Sequence, residues 1–179
     1  MGDGVRVVAL LVTLAVGVWP AAAQDMFPGW TAGPAADATM AVGRRFDCSG
    51  DLCPPGGLAC LYATAPKGEG RIVPTKDLLR PKGMPWKEIE AWTGAKLVAL
   101  DPSLSGDPRV SPANWTVTAP AHLALDESHV VKRYTSGMLS VPMALWMKEG
   151  AMNVIICKSA SGDEVSAERR IRGLVGDLR

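Results

Sequence analysis

The residues with the most chemistry to offer are four cysteines, two histidines and an excess of tryptophan. Cys48, Cys53, Cys60 and Cys157 form an even set, which in an exported chain reads as two disulfides with three connectivities allowed. Strand-like runs around Cys60 and Cys157 favour joining those two. Cys48 and Cys53 then close a short loop turned by Ser49-Gly50. Pairing Cys53 with Cys60 and Cys48 with Cys157 is the alternative. The long Cys60–Cys157 loop would restrict the unfolded chain most, by ~4 to 5 kcal/mol in the loop-entropy treatment. Two sharper chemistries compete for the same side chains. The run C-x4-C-x6-C could hold Zn or Cu(I) together with a histidine, and the thiols could exchange electrons, as in an envelope metal-handling or thiol-redox protein. The spacing lacks the C-x-x-C step that metal knuckles and redox motifs share, so structural staples are the favoured reading.

His122 and His129 flank Asp126-Glu127-Ser128. A hairpin turn there would gather two imidazoles and a carboxylate, the donor set of a His/carboxylate metal site. That is the basis of an alternative reading as a small hydrolase or metal-dependent enzyme. Ser128 cannot serve His129 as a nucleophile–base dyad, because neighbours on a strand point to opposite faces. The patterns G-x-S-x-G, H-E-x-x-H, G-x-x-x-x-G-K-[ST] and G-x-G-x-x-G are absent, and Asp47 and Asp51 lack the oxygen-ligand cadence of an EF-hand. No catalytic residue, metal ligand or cofactor is therefore assigned, and the sequence points away from an enzyme.

Six tryptophans stand against two tyrosines and two phenylalanines. Tryptophan suits surfaces where one edge of the ring is apolar and the other wet. Trp86 and Trp92, with Lys87, lie on a short segment bracketed by Lys82 and Lys96. They are the candidate partner surface, for another envelope protein or a glycan. The plainer alternative has both indoles anchoring a helix to the core.

These residues need elements to hold them. Residues 24–45 are rich in Ala, Gly and Pro without a period and read as an irregular arm, with Phe27 and Trp30 docking on the rest. Residues 46–179 read as one α+β domain. A strand is expected at 58–65, a turn at 66–70, a helical turn at 75–79, and a short helix at 85–92 opened by Pro85 and closed by Gly94. Strands are then expected at 96–100, 114–119, 122–125, 130–134, 138–147 and 152–158, separated by short Gly/Pro/Asp/Ser stretches. That spacing suits an antiparallel meander, with the strand holding Pro142 at an edge or bulged. Ser161-Gly162-Asp163-Glu164 has the form of a capping box, and Ala167, Ile171, Leu174, Val175 and Leu178 mark the apolar face of a C-terminal helix packed on one face of the sheet. Glu168 and Arg172 would pair on its outer side.

The chain has 179 residues, a net charge of +1 and no basic cluster, which argues against nucleic-acid binding. Residues 1–23 read as a signal peptide, with an apolar run at 7–18 and Ala21-Ala22-Ala23 as the cleavage signal. The run is too short to span a bilayer of ~30 Å, and no later segment could, so no transmembrane segment is expected after cleavage. The expectation is a periplasmic or secreted, disulfide-stapled accessory or binding protein of the cell envelope.

Overall fold

Apolar stretches in the last third of the chain form the centre of a sheet buried on both faces. The computed structural model describes residues 27–35, 42–64, 85–125, 129–148 and 151–178. Its strands are β1 (Trp30–Pro34), β2 (Val42–Cys48), β3 (Leu58–Thr64), β4 (Thr116–Thr118), β5 (His129–Ser136), β6 (Leu139–Lys148) and β7 (Ala151–Ala160). Among the described residues two α-helices, α1 (Trp86–Leu100) and α2 (Glu164–Asp177), complete an α+β architecture. The strand order is β1-β2-β3-β7-β6-β5-β4, antiparallel throughout. Two meanders therefore meet at the β3–β7 pair.

Alternation along the strands divides the core. Phe46, Cys60, Ala144 and Ile155 pack with Ala167, Ile171, Leu174 and Val175 of α2. Their chain neighbours Leu61, Met143, Leu145 and Ile156 pack on the other side with Leu97 and Leu100 of α1. Because both faces are covered, β6 and β7 are buried over successive residues rather than every second one. β6 is thus an interior strand, not the edge that Pro142 suggested. Pro142 keeps Arg133 of β5 as its partner, while the ladder to β7 skips Val141 and Pro142. A residue without an N–H can sit inside a sheet only where one ladder is interrupted.

Both disulfides follow the favoured pairing. Cys60 and Cys157 lie directly opposite each other across β3 and β7 and are bonded in the core. Cys48–Cys53 closes the small loop after β2.

Several elements differ from the sequence expectation. The stretch read as an irregular arm supplies β1 and the start of β2. Its burial is carried by Phe27, which meets Phe46 edge to face at 5.0 Å, and by Trp30, under the Arg170 guanidinium at 5.5 Å. Helix α1 runs to Leu100, through the segment 96–100 expected as a strand. Gly94 does not end it. A Cβ there would sit 2.5 Å from the Val110 carbonyl oxygen, so the glycine admits a close crossing of the following segment. That segment is three single 3₁₀ turns, each opened by proline (Pro102–Leu104, Pro108–Val110, Pro112–Asn114), with the Asp101 and Asp107 carboxylates accepting the Ser103 and Arg109 backbone N–H groups. Packed between sheet and strap, α1 buries residues around much of its circumference, which is why its sequence lacks a clean apolar stripe. Its C-terminus is closed by Arg45, whose Nη1 donates to the Leu100 carbonyl, and by a Lys158–Asp101 ion pair.

Only Thr116–Thr118 of the expected strand 114–119 pairs, and 122–125 is irregular. At α2, Ser161 and Gly162 do bond the Glu164 carboxylate, but the helix begins after Asp163, so Glu164 is its first residue. Glu168 is fully buried. It accepts from Arg133 of β5 rather than pairing outward with Arg172. The turns expected at 66–70 and 126–128, the helical turn at 75–79 and the segment 1–23 lie outside the described residues.

Candidate functional site

Trp86 opens α1 beside β5, and Trp92 follows six residues later, about 120° away around the helix. Both are partly buried against the α1-side core and keep part of their surface in solvent, while Lys87 is exposed. The indoles therefore do both things the sequence allowed: they anchor the helix and remain at the surface.

β5 completes the site with residues that the sequence reading missed. Its alternation sends Lys132 and Tyr134 to the α1 face. Lys132 Nζ lies over the Trp86 ring, 3.1 Å from its centroid, and 4.0 Å from Glu90 Oε1. Glu90 stands one turn beyond Trp86, on the same side of the helix. Tyr134 is fully buried with its ring 4.8 Å from that of Trp115, and its hydroxyl has no hydrogen-bond partner among the described residues. Trp115 is held in turn by its Nε1–H, which donates to the Arg109 carbonyl at 2.8 Å. Farther along α1, Lys96 lies over Trp92 at 5.9 Å.

The electrostatics follow from partial burial. Desolvation lowers the Lys132 pKa, and the Glu90 carboxylate opposes that shift. Burial, helped by the nearby Glu90 carboxylate, pushes the Tyr134 phenol well above its ordinary value, so it stays neutral. The result is an indole-rich surface with one exposed cation at Lys87 and a second, Lys132, held flat against a ring. Such a surface suits docking. No member of the cluster is paired as nucleophile and base.

The other candidates are placed separately. His129 is buried on β5, opposite Trp146 of β6, with ring centroids 5.6 Å apart. His122 lies in the irregular segment after β4 and is fixed through its backbone, its N–H donating to Glu168 Oε2 at 2.7 Å. Asp126 and Glu127 lie outside the described residues. Among the described residues no three His, Cys, Asp or Glu side chains come together as a metal site, and the four cysteines are taken up in two disulfides. A thiolate metal site on the C-x4-C-x6-C run is therefore replaced by covalent staples.

The missed residues had a faint signal. Trp86 and Glu90 share helical spacing, and Lys132 and Tyr134 share strand spacing, but nothing local says that these two pairs face each other. Comparison with protein-family models, curated proteins and solved structures found no match to this chain.

Proposed function

We propose that this protein is an exported accessory module of the cell envelope that works by binding a protein partner through the start of α1. The observation that carries the reading is the half-buried pair Trp86 and Trp92, anchored in the core and flanked by exposed Lys87. A ring that is rigid on one side and open on the other offers contact area at little entropic cost. A protein partner is favoured over a glycan because Lys132 already lies on one face of Trp86, the surface on which a sugar ring would stack. Exposed Lys87 offers such a partner one cation, while Lys132 is already taken up by Trp86 and Glu90. Export is supported by the two disulfides, which persist in oxidising compartments. Among the described residues no helix is long and apolar enough to cross a membrane.

The test is Lys87→Glu against Lys87→Arg, in disulfide-intact protein used to capture partners from the native envelope. Lys87 is exposed, so neither change should alter folding. The expected result is an envelope protein retained by the wild type and the Arg variant, lost with Glu, and bound again by the wild type when purified. Equal capture by all three would reject the surface.

A further inference from the structure

The corner of the sheet formed by the start of β2 and the end of β3, on the α2 side, carries a second arrangement. It lies on the face opposite Trp86 and Trp92, so it stands or falls independently of the partner surface. Arg44 of β2 pairs directly with Tyr62 of β3, and strand alternation puts it on the same face as buried Phe46. Arg44 is exposed and makes no ion pair or side-chain hydrogen bond among the described residues. Its chain neighbour Arg45, on the other face, is fully engaged with Asp47 and the Leu100 carbonyl.

The groups beside Arg44 are fixed. Tyr62 Oη donates to Asn153 Oδ1 at 2.6 Å, and Thr64 Oγ1 lies 3.1 Å from the same oxygen. Asn153 is buried and held by its own Nδ2–H, which donates to the Ala151 carbonyl at 3.1 Å. Asn153 faces Thr64 in the β3–β7 ladder, and Tyr62 stacks on Trp146 at 5.9 Å and 21°. Thr64 Oγ1 also lies 3.1 Å from Tyr62 Oη, so one Tyr62 lone pair faces Thr64; each of the two half-buried hydroxyls keeps a further lone pair with which to accept.

We propose that this corner binds a small hydroxylated carboxylate of the sugar-acid class. The Arg44 fork takes the carboxylate in two parallel hydrogen bonds, which a planar guanidinium does well. The Tyr62 and Thr64 oxygens accept from the hydroxyls, and the Tyr62 ring supplies a flat floor stiffened by Trp146.

Isothermal titration of the full disulfide-bonded chain with three probes tests each part: glucuronate has carboxylate and hydroxyls, glucose hydroxyls only, acetate carboxylate only. Glucuronate should bind at least about tenfold more tightly than either of the others. Arg44→Ala should lose roughly tenfold or more for glucuronate, with Arg44→Lys between. Tyr62→Phe should bring glucuronate down toward acetate. Arg44 is exposed, so its variants should fold, and circular dichroism checks that they do. Glucuronate binding no tighter than glucose, or unchanged in Arg44→Ala, would overturn the proposal.

Discussion

Among the described residues Glu168 is the one charged side chain that the fold takes fully out of water, and removing its partner should be among the most damaging single changes. Its Oε1 accepts from Arg133 Nη1 at 2.7 Å and its Oε2 from the His122 backbone N–H at 2.7 Å. The carboxylate thereby ties α2 to β5 and to the segment carrying buried Leu123. Arg133→Met keeps most of the aliphatic stem but leaves an unpaired buried carboxylate, for which the usual cost is ~3–5 kcal/mol. Arg133 is about a fifth exposed (21%), so water can partly replace it, and the lower end of that range is expected. For a chain of this size that corresponds to a fall in Tm of about 6–12 °C. The double variant Arg133→Met/Glu168→Leu removes the stranded charge and should recover much of the loss, leaving mainly the His122 N–H unpaired, about 1–3 kcal/mol. Urea unfolding followed by circular dichroism of Arg133→Met, Glu168→Leu and the double variant gives all three values and closes a double-mutant cycle with the wild type. An Arg133→Met cost below about 1 kcal/mol, with no recovery in the double variant, would refute the reasoning.

Three further outcomes are expected. Gly94→Ala should destabilise by about 1–3 kcal/mol, because its Cβ meets the Val110 carbonyl, whereas Gly173→Ala in α2, with nothing within 4 Å, should gain up to ~1 kcal/mol; thermal melts compare the two. Replacing Cys60 and Cys157 should cost more than replacing Cys48 and Cys53, roughly 5 against 2 kcal/mol by loop entropy for sequence separations of 97 and 5, and alkylation mapping under mild reductant should find the half-exposed Cys48–Cys53 bond opened first. The hydrogen bond from Lys158 holds the Asp101 carboxyl at about 2, below its unfolded value, so its contribution is present above pH ~4 and is lost as pH falls toward 2. Asp101→Asn should therefore flatten the stability profile over that window by on the order of 1 kcal/mol once solvent screening is allowed for, as read from urea midpoints at pH 5 and pH 2.

The parts of the fold that were legible in the sequence are those where one local signal dominates. β5, β6 and β7 announce themselves by apolar strand runs, α2 by helical spacing, and the disulfides by an even cysteine count with two of the residues in strands. The remainder depended on neighbours. β1 has almost no pattern of its own and becomes a strand because Phe27 and Trp30 reach the core and its backbone pairs with β2. Residues 96–100 resemble a strand in composition, yet Gly94 and the strap over it let the helix continue. Glu168 carried a helix-surface signal and became the anchor of α2 because Arg133, 35 residues earlier in sequence, arrives beside it. The proposed partner surface was half legible for the same reason. Trp86, Trp92 and Lys87 lie on one element, while Lys132, Tyr134 and Trp115 come from segments that only the tertiary fold brings to α1.

The most direct test of the central claim is photo-crosslinking in the native host. A photoreactive residue is placed at exposed Lys87, with a second at Gly173 on the opposite side of the molecule as control. Binding through the start of α1 predicts a discrete adduct with one envelope protein from position 87 and none from 173. Adducts from 173 alone, or none from 87 while the protein is correctly folded and exported, would contradict it.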